Sequence, residues 1–260
     1  MPQLSSYEPG VPCWVDLATT DLDAAKAFYG GLFGWQAQTS PDPQYGGYTM
    51  FTLEGAEGHE AAAAMPTSQE TQPPAWNTYV SVTDADATAK AVQAAGGQVV
   101  MEPMDIPEQG RMAVFADPLG AVISVWQPRG FSGAGYVNEP NTYCWSELNC
   151  RDIAAAKAFY GEVFGWEGAT SEFGDTTYTE WKVGGRSIAG MVEMNEQWPA
   201  EVPPHWMVYF AVSDCDASAT RTSQLGGTVS VPPTDIPIGR FAVLGDPQGA
   251  YFSIIRLNPS

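Results

Sequence analysis

The chain has 260 residues, with 11 Lys and Arg against 30 Asp and Glu, a net charge of −19 at pH 7 and a sequence pI near 4.2. Such an acidic balance argues against any role that needs a basic face, such as binding nucleic acid or docking on an anionic membrane. Apolar residues make up 44%, but no unbroken apolar run approaches the ~20 residues that cross a bilayer, so a globular protein without a membrane partner is expected. Met1 to Gly10 contains neither the basic nor the apolar stretch of a secretory leader. Cys13, Cys144, Cys150 and Cys215 form no C-x-x-C pair and are too sparse for a disulfide scaffold. Both features point to a cytoplasmic location.

The chain repeats itself. Glu8 to Trp35 aligns without gaps on Glu139 to Trp166, with 16 identities in 28 positions. These include Ala24-Ala25-Lys26-Ala27-Phe28-Tyr29-Gly30 against Ala155-Ala156-Lys157-Ala158-Phe159-Tyr160-Gly161. Asp105-Ile106-Pro107, Gly110-Arg111 and Asp117-Pro118-x-Gly120 recur as Asp235-Ile236-Pro237, Gly239-Arg240 and Asp246-Pro247-x-Gly249. A repeat of this length means two tandem domains. The boundaries read as 1–128 for the first domain, 129–137 for a linker and 138–260 for the second. The Gly-Phe-Ser-Gly-Ala-Gly run of the linker predicts a flexible tether.

In chain order, each copy opens on an apolar strand, around Cys13 to Leu17 in the first. Asp21 then offers a carboxylate as N-cap, and Ala25, Phe28 and Leu32 follow at helical spacing until Gly34 supplies a left-handed stop. Strand patterns follow at Tyr48–Leu53 and Ala62–Met65. A second strand and N-cap come at Thr78–Asp84, with a helix running to Gly96-Gly97. Val99–Met101 and Arg111–Ala116 are the next strands, and an Asp-Pro-x-Gly turn leads into the last, Ala121–Trp126. Asp152 and Asp214 open the same units in the second copy. The unit is strand, helix and three strands, occurring four times.

Paired βαβββ units, with the Ala-Ala-Lys-Ala-Phe-Tyr-x-x-x-Phe-Gly-Trp helix and the Asp-Pro-x-Gly turn, resemble the vicinal oxygen chelate superfamily. Its members include glyoxalase I, extradiol dioxygenases, and bleomycin and fosfomycin resistance proteins. The resemblance runs from about Pro9 to Leu257. It implies an α+β fold of two glyoxalase-like domains, each a cupped mixed sheet made of paired βαβββ modules. It does not imply one chemistry, because this scaffold carries several.

In that family, His, Gln or Glu side chains point into the cup and hold a divalent metal. Aligned outward from the N-caps and turns, those positions fall on Trp14, Asn77 and Ser124 in the first copy and on Trp145, Met207 and Ser253 in the second. Trp and Met do not ligate hard or borderline cations, and Asn and Ser do so weakly. The chain has two histidines, His59 and His205, too few for two separate two-His sites. His205 shares a strand face with Met207, so it reads either as a displaced ligand or as a structural polar residue at a strand start; His59 reads as a loop residue. No metal or other cofactor is expected.

Strand parity places Trp14 and Asp16, Asn77 and Tyr79, and Tyr48 and Met50 on the first concave face. Their counterparts are Trp145 and Glu147, His205, Met207 and Tyr209, and Tyr178 and Glu180. Arg111 and Arg240, before the turns, complete each set. Such a cup suits a small aromatic or carbonyl-bearing ligand: Trp stacks on it, Tyr donates a hydrogen bond, Arg clamps an anion, and a buried acid serves as general base. Alternatively, Asp16 with Arg111 and Glu147 with Arg240 are buried ion pairs and the tryptophans are packing.

Three functions follow from the resemblance. One is a metal-independent enzyme, of the hydroxylase, lyase or isomerase kind by the labels such chains carry, using Glu147 with Tyr209 or Asp16 with Tyr79. Another is a non-catalytic protein that sequesters a drug-like aromatic. A metal-dependent lyase or dioxygenase ranks last. The second cup, with more titratable groups, is favoured for chemistry, and a fused pair is expected to be a monomer or weak homodimer.

Overall fold

The computed structural model describes residues 4–53, 60–69, 71–174 and 176–258. His59 lies outside these residues. The first half contains strands β1 (Pro12–Thr19), β2 (Gln36–Thr39), β3 (Thr49–Thr52), β4 (Glu60–Pro66), β5 (Ala75–Ser81), β6 (Gln98–Ile106), β7 (Gly110–Ala116) and β8 (Val122–Pro128). Helix α1 (Leu22–Phe33) follows β1, and α2 (Ala85–Ala94) follows β5. The second half repeats this with β9 (Tyr143–Cys150), α3 (Ile153–Phe164), β10 (Glu167–Phe173), β11 (Thr176–Val183) and β12 (Arg186–Glu193). Its second module is β13 (His205–Ala211), α4 (Cys215–Gln224), β14 (Thr228–Ile236), β15 (Gly239–Gly245) and β16 (Tyr251–Leu257).

Each half is one eight-stranded mixed sheet, ordered β2-β3-β4-β1-β5-β8-β7-β6 and β10-β11-β12-β9-β13-β16-β15-β14. The two modules of a half join where their first strands pair antiparallel, with Trp14 opposite Tyr79 and Asp16 opposite Asn77, and likewise Trp145 opposite Tyr209 and Glu147 opposite Met207. The register brings the candidate side chains of two modules into adjacent rows on one concave face. All four helices start on the expected aspartates: Asp21, Asp84, Asp152 and Asp214 each accept from the backbone N–H three residues on.

The convex faces are not covered within one half. One core cluster combines Val15, Leu17, Phe28, Tyr29 and Phe33 with Val208, Phe210, Phe252 and Ile254 of the other half. Its counterpart combines Val80, Val92, Phe115 and Ile123 with Leu148, Phe159, Tyr160 and Trp181. A chain of polar contacts threads each cluster. Trp76 Nε1 donates to the Tyr29 hydroxyl, which donates to Asp246 Oδ2 across the domain boundary, both at 3.0 Å. Trp206 Nε1, the Tyr160 hydroxyl and Asp117 Oδ2 repeat this in the opposite sense at 2.9 Å. The other oxygen of each aspartate accepts two backbone N–H groups of its Asp-Pro-x-Gly turn. The turn motif therefore both closes a hairpin and presents an acceptor to the partner domain.

The joining segment differs from the flexible tether expected of its glycines. Gly133, Ala134 and Gly135 are buried; Ala134 N–H donates to Cys13 O at 2.9 Å and Gly135 N–H to Glu60 O at 3.1 Å. Gly133 holds φ +124, and a Cβ there would overlap the Cys13 carbonyl. Its glycines serve close approach rather than flexibility.

Tyr29→Phe keeps the ring but leaves Trp76 Nε1 and Asp246 Oδ2 without partners, which is expected to cost roughly 1–3 kcal/mol. Because each core cluster is shared, the melt should remain a single transition, with fluorescence and far-UV circular dichroism superimposing. Separate unfolding of the two halves would contradict the shared core.

Candidate functional site

The central strands β1 and β9 put an acid at the floor of each cup. In the first, Asp16 is 1% exposed and accepts three hydrogen bonds, from Asn77 Nδ2 at 2.8 Å, Tyr79 at 2.9 Å and Tyr48 at 3.2 Å. Trp14 Nε1 in turn donates to the Tyr48 hydroxyl at 2.9 Å. Burial raises the Asp16 pKa, against the pull of its three donors. Met50 lines the wall, and Ser124 lies beneath Tyr79.

In the second cup, the Tyr209 hydroxyl donates to Glu147 Oε1 at 2.7 Å, Tyr178 provides a second donor, and Trp145 Nε1 donates to the Tyr178 hydroxyl at 3.1 Å. Burial pushes Glu147 up to about 7, with both tyrosines pulling the other way. At that value the carboxyl gives and takes a proton with equal ease near neutrality. Met207 occupies the place of Asn77, so the third donor of the first cup is replaced by a thioether. Gly190 pairs with Glu147 in the register, and a Cβ there would overlap the Tyr178 hydroxyl and crowd Trp145 Nε1. Gly at 190 leaves the space that the Tyr178 hydroxyl takes. Ser253 is buried beneath Tyr209, with no well-formed hydrogen bond for its hydroxyl, yet it lies near enough to temper the rise that burial and Glu147 impose on Tyr209.

Two expectations are corrected, and the open reading of His205 is resolved in favour of a structural polar residue. Arg111 and Arg240 are not in the cups and pair with neither Asp16 nor Glu147. They sit on the opposite strand parity, where Arg111 forms a fork on Asp86 at 2.8 and 2.9 Å and reaches Asp105, and Arg240 does the same to Asp216 and Asp235. Met112 and Phe241, the next residues along, face the cups instead. Among the described residues, neither an anion clamp nor a buried acid–arginine pair lies in either cup. Glu180 stays at the rim, its side chain 48% exposed and bound to Lys182 and Ser187, so it does not converge on Glu147. His205 is fixed beside the cup: Nδ1 donates to Pro203 O at 2.9 Å and Asn149 Nδ2 donates to Nε2 at 3.4 Å. Burial lowers its pKa and keeps it neutral.

Sequence reasoning missed the closure of the first cup. Phe131, placed in the linker, packs edge-on to Trp14 with ring centroids 4.9 Å apart. Trp126 Nε1 donates to its carbonyl at 2.7 Å. The second cup has Ile255 in the place of Trp126, and Trp145 remains half-buried where Trp14 is 3% exposed. A single aromatic among glycines has no periodicity to assign it to a face.

Among the described residues, no group of three or more His, Cys, Asp or Glu is placed to hold a metal ion. One carboxylate per cup, already held by tyrosines and flanked by indole and thioether or amide, does not fit a divalent cation. No helix of the described residues is long and apolar enough to cross a membrane.

Comparison with known proteins agrees with this architecture. The profile of the Glyoxalase/Bleomycin resistance protein/Dioxygenase superfamily matches residues 13–125, and that of a glyoxalase-like domain matches 145–255. CFP32 of Mycobacterium tuberculosis, provisionally named a glyoxylase, is 45% identical over 100% of this chain and 99% of its own. The anthracycline biosynthesis protein DnrV of Streptomyces peucetius is 40% identical over 98% of this chain and 96% of its own. The 2,3-dioxygenase LapB from Pseudomonas sp. KL28 has the same fold, with a TM-score of 0.65 at 16% identity over 100% of this chain and 94% of that one. A Mn(II)-bound glyoxalase from Novosphingobium aromaticivorans superimposes with a TM-score of 0.64 at 18% identity, covering 95% and 82%.

Glu147 makes a pH-dependent contribution to stability that can be isolated. An acid whose pKa rises from 4.5 to about 7 on folding contributes stability that is fully present below 4.5 and is lost as pH rises through 7. The loss proceeds at up to about 1.4 kcal/mol per pH unit. Glu147→Gln should therefore gain on the wild type between pH 5 and 7.5 in urea unfolding. A pH-independent difference between the two would show that Glu147 ionises normally in the fold.

Proposed function

Since the chain belongs to the Glyoxalase/Bleomycin resistance protein/Dioxygenase superfamily, with a glyoxalase-like domain in each half, we propose that its second cup binds a small planar aromatic ketone or phenol. Glu147 moves a proton on that ligand. The observation that carries this reading is a carboxyl that burial pushes up to about 7, held by two tyrosines, on the floor of the cup whose tryptophan is only partly buried. The indole of Trp145 gives a stacking surface, and Met207, Phe241, Val243 and Ile255 form an apolar wall.

Glu147 in its carboxylate form takes a proton from a carbon next to the ligand carbonyl, and the C–H electron pair passes onto the carbonyl oxygen. Once Glu147 is protonated, its hold on the Tyr209 hydroxyl weakens, and that O–H is available to the new oxyanion. Returning the proton to a different carbon completes an isomerisation with no change in oxidation state. The 40% identical relative named for anthracycline biosynthesis supports a polycyclic aromatic as the ligand class. The apolar wall also supports a second reading, in which the cup sequesters such a molecule without turning it over.

A panel of polycyclic aromatic ketones, followed by Trp fluorescence and by absorbance change, separates the readings. Glu147→Gln is expected to lower turnover by about 10²–10⁴-fold and to remove the inflection near pH 7 from kcat/KM, while Asp16→Asn changes either by only a few-fold. Binding without turnover across the panel, unchanged in Glu147→Gln, would establish sequestration instead. Elemental analysis should find less than one transition-metal ion per chain in the active protein.

A further inference from the structure

The first cup differs from the second in what fills it. Phe131 stands edge-on over Trp14, with ring centroids 4.9 Å apart, and 6.0 Å from Trp126. Tyr7, Met50 and Met112 complete the cluster around it. Its backbone is tied in as a ligand would be: the carbonyl accepts from Trp126 Nε1 at 2.7 Å, and the N–H donates to Gln109 O at 3.1 Å. The Ala134 N–H is bound to Cys13 O, and the Tyr7 hydroxyl donates to Ala134 O at 2.7 Å. With the segment in place Trp14 is 3% and Trp126 7% exposed. Beneath it lies a finished set of polar groups, Asp16 with Asn77, Tyr48 and Tyr79, that the packing of Phe131 does not require.

We infer that the first cup is a second aromatic-binding site whose occupant is the chain's own Phe131, so that removing this ring exposes a site for a small planar aromatic with one polar edge. A core position filled only for packing would be expected to carry apolar groups on its floor, because a buried carboxyl costs stability unless something uses it. The floor instead keeps the acid, one tyrosine and the tryptophan of the second cup in the same rows of the register, and a second tyrosine, Tyr48, donates to the acid. The plug comes from residues between the sheets, so it can be altered without changing a strand.

Indole is a suitable probe, since its flat aromatic ring can take the place of the phenyl ring edge-on to Trp14. Calorimetric titration of the full chain should show Phe131→Ala binding one more equivalent of indole than the wild type, whatever number the wild type takes. Counting the difference separates this site from the second cup, so failure of the proton-transfer reading leaves it untouched. Phe131→Leu, which keeps an apolar plug, should bind no extra equivalent. Trypsin cleavage after the exposed Arg129 should be faster in Phe131→Ala and slowed again by indole. A folded Phe131→Ala with the wild-type count would overturn the inference. If that variant does not fold, Phe131→Val is read in the same way, and an unchanged count there would also overturn it.

Discussion

The fold depends on one hydrogen-bonded chain made twice: an indole N–H to a tyrosine hydroxyl to an aspartate of the other domain. Tyr29 and Tyr160 are fully buried, where an unpaired hydroxyl is costly, and each finds its acceptor only when the opposite Asp-Pro-x-Gly turn is in position. That turn needs the same aspartate to hold its own backbone. The geometry of a hairpin in one domain and the docking of the other are thus set by a single carboxylate. Because the convex faces are spent on this interface, the concave faces are what remains for ligands.

Those two concave faces have diverged by small exchanges at matched positions. Asn77 against Met207 removes a donor from the acid, and Gly190, where the first cup has Ala63, leaves the space that Tyr178 and Trp145 occupy. Trp126 against Ile255 removes the anchor for the linker carbonyl. One cup has its acid held by three donors and its mouth closed; the other keeps an acid held by two tyrosines beside a partly buried tryptophan. Charge is not what separates them, since no arginine enters either cup.

The repeat, the helix caps and the Asp-Pro-x-Gly turns made the architecture legible, because each is a local signal with a fixed spacing. Counting parity outward from the helix caps puts Trp14, Asp16, Asn77 and Tyr79 on one face of β1 and β5, and the register pairs them there. On β7 and β15 the same parity puts Arg111 and Arg240 with Ala113 and Phe115 or Ala242 and Leu244, which pack under the helices and not in the cups. The strands β2 and β10 are exposed along their length and carry no alternation to read. Phe131 belongs to no element, and its place is decided by the cup that receives it. The sharing of the core between halves also left no trace in either repeat alone, since an apolar face looks the same whichever domain covers it.

The distance in sequence between interface partners bears on how the protein is made. Tyr29 meets Asp246, 217 positions later, and Val15 and Phe28 share a cluster with Phe252 and Ile254 near the other end. While the ribosome is still translating, the first sheet can pair its strands and seat its own two helices, but nothing covers the rest of its apolar back. That surface stays open from the end of β8 at Pro128 until β16 is made, a wait of roughly six to twenty-six seconds at about 5–20 residues per second. The nascent first half is therefore the species a holdase chaperone would meet, and release follows naturally when the second half arrives to take the same face.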